Sequence, residues 1–237
     1  MVAPSKHVPV VGASSGSGLG IAKELAPIIA KLMLCSRSYP AEVLETNKTN
    51  KTINPSVEVV REKLDVSLLH EVRKFMLVHD MLEGLNRPGV RVLNVLAGGI
   101  GGAIDVDDLD LKHTYSTKRC AEATTQYSDL MAQAFAEHAP KASFMHAYQG
   151  LSTRALGATC RGTCVFRSRG LPQLQHAPLP ESCSNYIVSG LFNGDYATGW
   201  YLLSRNAKVV SKTQYHTEEL KDIVWKHTLK TTNDIIK

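Results

Sequence analysis

A short β-branched run, Val8 to Val11, ends at Gly12-Ala-Ser-Ser-Gly16-Ser-Gly18-Leu-Gly20 and gives way to IAKELAPIIA, whose apolar residues return at helical spacing. Strand, tight turn and helix in that order require backbone positions that tolerate φ > 0 or a close approach, and both demands fall on residues without a Cβ. Gly12, Gly16 and Gly18 meet them, with Ser14 and Ser15 in the same turn. The helix that follows presents N–H groups and a partial positive charge to an anion such as a pyrophosphate. Placed at the first strand-to-helix turn of the chain, this spacing points to a dinucleotide site.

The elements downstream continue the alternation. Lys31 to Arg37 reads as a second strand and completes a βαβ unit; residues 40 to 56 read as polar helix and loop, and Val57 to Ser67 carries a third strand that ends near Asp65. Residues 67 to 85 predict a helix, Arg91 to Gly99 a strand with a glycine-rich exit, and 116 to 138 a long helix. In that helix Tyr127, Leu130, Met131, Ala134 and Phe135 make one apolar stripe. Lys141 to Gly150 is the next strand and its exit, 155 to 185 an irregular insertion or lid, Tyr196 to Leu203 a late strand, and Thr217 to about Lys230 a closing helix with Leu220, Ile223, Val224 and His227 on one face. There are no internal repeats. The pattern predicts an α/β fold, a three-layer, Rossmann-type doubly wound parallel sheet, with an irregular substrate region near 155 to 195. At 237 residues, a single domain spanning 1 to 237 accommodates it.

Composition narrows the function. Hydrophobic residues at 43% and charged residues at 21% are those of a folded chain. The net charge of +5 comes from scattered Lys and Arg with no dense basic run, which argues against a nucleic-acid partner and fits a positive site for an anionic cofactor. The N-terminal apolar run is too short for a signal-peptide core, and no segment approaches the roughly twenty apolar residues of a membrane span. Five cysteines form no CxxC pair, and an odd count suits a reducing compartment, so the expectation is a cytoplasmic protein with no membrane partner. Cys160 and Cys164 read as free thiols, and the sequons at Asn47 and Asn50 as polar loop. No metal site is expected: the nine histidines show no HxH or HExxH arrangement, and Asp105, Asp107, Asp108 and Asp110 lack the glycine and terminal Glu of a calcium loop. That acidic cluster reads as a solvated loop. His146, on an apolar strand, reads as a satisfied core histidine or as a base facing the cofactor cleft.

VGASSGSGLGIAKELA, then CSR after the second strand and LDVS after the third, is similar to the short-chain dehydrogenase/reductase pattern. RVLNVLAGGIGGAIDVDDLDLKHTYS, YSDLMAQAFAEHAPKASFMHAYQG and VWKHT resemble a fungal branch of that family met among secondary-metabolite enzymes, and the resemblance covers nearly the whole chain outside 155 to 185. Arg37 lies just past strand two, where the adenosine ribose sits in such folds. A carboxylate there suits NAD, whereas Arg37 beside Ser36 favours the 2′-phosphate of NADP; NADP(H) is the expected cofactor, with NAD as the alternative. Asp65 either bonds the adenine amino group or caps a helix starting near Ser67. Gly98 at the fourth strand's exit and Thr153, one residue early for the family's nicotinamide-contacting Thr, complete the expected cofactor contacts, with Gln149 in place of the family's proline and Gly150 keeping the turn.

The resemblance implies a Tyr acid/base, a Lys four residues on and a carbonyl-orienting Ser. Tyr115 matches the Tyr best; Arg119 stands at +4, with Lys118 one place early, and one position turns a side chain about 100° around a helix. Setting RVLNVLAGG against the family's serine strand puts Ala97 at the Ser position, with Asn94 earlier on the strand, and leaves Thr114 and Ser116 as the nearby hydroxyls. On that alignment the chain lacks one strand–helix unit of roughly fifty residues before the Tyr helix. The expected function is an NADP(H)-dependent oxidoreductase acting on a carbonyl or alcohol of a small metabolite, as a homo-oligomer. The alternative is the same fold without redox turnover: a pseudoenzyme, a truncated product, or a cyclase or isomerase.

Overall fold

Leu32, Leu34, Cys35 and Ser36 are all buried, a run rather than an alternation, which is the mark of a middle strand in a parallel sheet. The computed structural model, which describes residues 6–39, 54–66, 81–150 and 180–234, bears this out. β1 (His7–Val11) and β3 (Glu58–Lys63) flank β2 (Lys31–Ser36) in a three-stranded parallel sheet. The chain runs from β1 through helix α1 (Gly16–Leu25) to β2. Leu19, Ile21, Ala22 and Leu25 are the buried apolar residues of α1, as the i, i+3 spacing requires.

The second sheet repeats the scheme. β4 (Arg91–Leu96), β5 (Ser143–Tyr148) and β6 (Gly199–Leu203) are parallel in the order β4-β5-β6, and the middle strand β5 is again the buried one. A single helical turn, α2 (Leu82–Leu85), precedes β4; α3 (Thr117–His138) crosses from β4 to β5, and α4 (Pro180–Leu191) lies between β5 and β6. α5 (Glu218–Asp234) closes the described chain. Ala132, Ala136, Ala139, Ala142 and Phe144 form a core here, with Val92, Phe135 and Trp200 packed against it. Arg91, at the start of β4, donates to the carbonyls of Leu191 and Asn193.

The chain divides into two compact units, Met1–Glu71 with Gly150–Val188, and Val72–Gln149 with Ser189–Lys237. The strand orders are those of the two halves of a dinucleotide-binding sheet, 3-2-1 and 4-5-6. Three expectations need correction. Residues 180 to 191, placed in the irregular stretch, are helical, and Gly194–Tyr196 forms a 3-10 turn ahead of β6. Of the predicted stripe on α3, Leu130 and Ala134 are buried, and Gln126, Asp129 and Gln133 are buried beside them. Finally, among the described residues β4 is the next strand after β3, and α3 is its crossover to β5, so RVLNVLAG stands where chain spacing, rather than the resemblance of its downstream text, puts it. Nothing among the described residues then requires a lost strand–helix unit. Residues 67 to 80 of the predicted 67 to 85 helix, 40 to 53 of the polar helix and loop, and 155 to 179 of the irregular insertion or lid lie outside the described residues, as do Asn47, Asn50, Thr153, Cys160 and Cys164.

Candidate functional site

Val11, Cys35 and Glu62 are level with one another in the first sheet, so the carboxyl ends of β1, β2 and β3 share one edge. The glycine-rich turn, Arg37 and Asp65 all follow directly from that edge, where ligands of open parallel sheets bind. Gly12 donates its N–H to the Cys35 carbonyl at 2.9 Å, which ties the turn to β2. Its φ of 79° and the φ of 56° at Gly16 fall in the left-handed region, and a Cβ at either would meet no atom within 4 Å. Among the described residues nothing crowds the backbone at these two positions. Gly18 answers to a different constraint: a Cβ there would run into the Gly12 carbonyl, so its absence lets α1 seat against the turn.

Ser15 is the N-cap of α1 and makes no side-chain capping bond, leaving the first-turn N–H groups to another acceptor. An anion fits that requirement, aided by the helix dipole. Ser14 is half-buried in the turn and Arg37 is exposed one residue beyond β2. Asp65 is half-buried two residues beyond β3, and its proposed alternative role at Ser67 lies outside the described residues. Cys35 beneath the turn is buried, and burial followed by the charge of Glu62 pushes its thiol up, so it serves packing. The structure thus brings Gly12, Ser14, Ser15, Gly16, Gly18, Arg37 and Asp65 to one edge of one unit.

The residues expected to do chemistry fare differently. Tyr115 is 68% exposed and precedes the N-cap Ser116, whose hydroxyl accepts from the Arg119 N–H at 3.1 Å. It stands outside the helix, so Lys118 and Arg119 are not placed by helical periodicity against its phenol. Both cations are exposed, and Lys118 lies 3.6 Å from Glu122. Tyr127, further along α3, donates to the Leu109 carbonyl at 2.9 Å; burial, then the carboxylates of Asp110, Asp108 and Asp105, push its phenol up to about 12. That keeps it neutral and structural.

In the acidic loop Asp105, Asp107 and Asp110 are exposed, as a solvated loop requires, and Asp108 alone turns inward as a local scaffold. Asp108 is buried, and its oxygens accept from the N–H groups of Lys112, His113 and Thr114 and from the Thr114 hydroxyl. Burial alone would raise its carboxyl, but these bonds outweigh it and bring the group to about 2. Asp110 pairs with Lys112 and His227.

Gly98 has a reason internal to the fold: a Cβ there would strike the His146 carbonyl. Beside it lies a cluster that sequence reasoning found only in part. His146, fully buried on β5, accepts the Ala97 N–H at Nε2 (3.2 Å), so its Nδ1 carries the proton and donates to Asp129 Oδ1 at 2.5 Å. His216 accepts the Thr213 N–H at Nδ1 (2.9 Å) and therefore donates from Nε2 to Asp129 Oδ2 at 3.2 Å. The Gly99 N–H adds a third donor at 3.1 Å. Burial would raise the Asp129 carboxyl; the bonds from His146, His216 and Gly99 reverse this and hold it below the usual range. With the side chains of all three residues at 0% exposure, the cluster is a joint between β5, the β4 exit and the loop before α5, and His146 is the satisfied core histidine of the two readings. Asp129 and His216 left no signal that a single sequence could raise above that of ordinary solvated residues.

No protein-family model matches the chain, and no curated protein matches it. Solved structures do. A short-chain type dehydrogenase/reductase from Mycobacterium ulcerans superposes with a TM-score of 0.51 at 12% identity, covering 87% of this chain and 91% of its own. An alcohol dehydrogenase from the archaeon Thermococcus sibiricus, complexed with 5-hydroxy-NADP, gives 0.52 at 17%, with 87% and 99% covered. YwfH, an NADPH-dependent reductase involved in bacilysin biosynthesis, gives 0.50 at 17%, with 84% and 98% covered. At such identities the likeness is one of fold: a Rossmann-type α/β chain with parallel sheets.

Proposed function

We propose that this chain is an NADP(H)-dependent oxidoreductase of the short-chain dehydrogenase/reductase type, carried on one domain spanning 1 to 237 and acting in the cytoplasm on a carbonyl or alcohol of a small, secondary-type metabolite. The observation that carries the cofactor half is the shared carboxyl edge of β1, β2 and β3, with an open glycine turn, an uncapped helix N-terminus and Arg37. Neighbours in fold that are described as NADPH-dependent or complexed with an NADP derivative support it. Gly12 to Gly18 would hold the pyrophosphate, Arg37 the 2′-phosphate and Asp65 the adenine amino group. For the nicotinamide end it is the family resemblance in sequence that assigns Gly98 and Thr153. When bound, NADPH supplies a hydride; Tyr115 would hold the proton for the substrate oxygen, with Lys118 or Arg119 favouring its phenolate.

Titration of NADPH and NADH by nucleotide fluorescence tests the cofactor half. NADPH should bind at least about tenfold tighter, and Arg37→Ala should bring the two together, as loss of a charge-assisted phosphate contact implies. No binding of either nucleotide would overturn the reading. For the catalytic half, Tyr115→Phe should lower turnover over a carbonyl panel by about a hundredfold or more; unchanged turnover removes Tyr115 from the chemistry.

The second reading, cofactor binding without redox turnover, is favoured by one specific observation: Tyr115 precedes the N-cap of a helix that crosses from β4 to β5, and Lys118 is turned to Glu122. Among described residues after β5, Tyr186 has Gly190 four places on, not a cation. Tight NADPH binding with no oxidation across the panel would decide for this reading.

A further inference from the structure

We propose that Tyr39 is a positioning residue that sets the preference for a 2′-phosphorylated cofactor, through its hold on the backbone that carries Arg37. This rests on the dinucleotide reading above and deepens it. The Tyr39 hydroxyl stands 2.6 Å from the Leu34 carbonyl and 2.6 Å from the Glu62 carbonyl, on β2 and β3 respectively. A phenol has one proton, so it donates to one carbonyl or is shared between the two. In either case it fastens residue 39 back onto the strand pair that the chain has just left.

Arg37 lies between two anchors. On one side Ser36, the last residue of β2, is buried, and its carbonyl accepts the Leu64 N–H at 3.1 Å. On the other side stands the Tyr39 hydroxyl. Residues 37 and 38, both exposed, therefore span a short arch with fixed ends across the carboxyl edge of the sheet. An exposed Arg on a free loop gives up backbone freedom when it pairs with a phosphate; on a pinned arch that freedom is already lost on folding. The gain goes to the ligand that uses Arg37, and a nucleotide with a bare 2′-hydroxyl does not. Tyr39 thus acts on selectivity without touching the cofactor. Its ring is only partly buried, and Phe keeps that ring while deleting the hydroxyl that meets the two carbonyls.

The test is a double-mutant cycle in the full-length protein, with wild type, Tyr39→Phe, Arg37→Ala and the double variant titrated with NADPH and with NADH. Tyr39→Phe should weaken NADPH about three- to tenfold and leave NADH within about twofold, the size of one hydrogen bond's effect. In the Arg37→Ala background the same change should leave the NADPH-to-NADH ratio unmoved. A merely structural tyrosine would weaken both nucleotides equally and in both backgrounds, and that result overturns the proposal. So does a Tyr39→Phe protein that fails to fold by circular dichroism, since it assigns the hydroxyl to the fold. Wild type that binds both nucleotides alike overturns the selectivity role while sparing the dinucleotide site, whereas wild type that binds neither overturns both.

Discussion

Asp129 is fully buried and accepts three hydrogen bonds, from His146, His216 and the Gly99 N–H, and among the described residues these donors have no other acceptor to turn to. The two imidazoles cannot respond to its loss by switching tautomer, because the second nitrogen of each already accepts a backbone N–H, from Ala97 in one case and Thr213 in the other. Asp129→Asn presents an NH2 to one of two N–H donors and leaves it unsatisfied. The variant should lose about 2–4 kcal/mol in chemical denaturation at neutral pH, the cost of stranding a buried donor and dismantling a charge-assisted pair. A loss below about 1 kcal/mol would mean the cluster is not formed in solution. The sign of the pH dependence follows from the lowered carboxyl. Its stabilisation is present above the ordinary value of 3.8 and is lost as pH falls from there through the lower folded value, so the gap between wild type and variant should close only in acid. Of this cluster the sequence shows only His146. A carboxylate on a helix reads as solvated until the helix's partners are known, and the partner here, His216, lies 87 residues away.

At the scale of elements, α3 shows where periodicity misleads. Of the apolar stripe Tyr127, Leu130, Met131, Ala134 and Phe135, only Leu130 and Ala134 are buried outright, and polar Gln126, Asp129 and Gln133 are buried beside them. These polar members are tolerated because they meet partners in order: Gln126 donates to the Tyr215 carbonyl, Asp129 takes His216, Gln133 donates to Glu218, and Glu137 pairs with Lys221 of α5. Lys221 is itself buried beneath Glu137 and Glu218, whose hydrogen bonds push its ammonium pKa up. On α5 the buried residues are Lys221 and Val224; of the predicted face Leu220, Ile223, Val224 and His227, Val224 is the one buried outright. Strands were more legible, since in a parallel sheet a buried run needs no partner's identity to be recognised. The turn before α1 was legible for the same reason: its glycines answer to local backbone geometry. Gly18→Ala tests that geometry. The added methyl meets the Gly12 carbonyl, which is backbone and cannot swing aside, so α1 must lift from the turn. A loss of about 1–3 kcal/mol in stability, with NADPH affinity falling at least tenfold, is expected; a variant that melts and binds like wild type would show that the helix does not seat there.

For the molecule as a whole, recognition features are distributed unevenly between the two units. Gly12, Gly16, Gly18, Arg37, Tyr39 and Asp65, which the proposed reading uses, all belong to the first. In the second, Gly98 is explained by the His146 carbonyl, Tyr115 stands outside its helix, and the Ala97 and Gly99 N–H groups are spent on His146 and Asp129. Thr153 lies outside the described residues. The strand, glycine turn and helix of the first unit were legible because they are written in contiguous residues. A proton-transfer site is less legible because it is assembled from side chains far apart in sequence, and Tyr115 stands just before the helix that crosses from β4 to β5. If binding energy follows this distribution, the adenosine half of the cofactor should carry most of it. Adenosine 2′,5′-bisphosphate, which keeps the 2′-phosphate and loses the nicotinamide, should compete with NADPH at a dissociation constant within about tenfold of the parent, a difference near 1.4 kcal/mol. Reduced nicotinamide mononucleotide should show no competition up to about 1 mM, equivalent to no more than about 4 kcal/mol of binding. The reverse ranking, with the bisphosphate weaker than NADPH by more than about a thousandfold, would place the decisive contacts at the nicotinamide end and with them a catalytic centre that the exposed Tyr115 does not reveal.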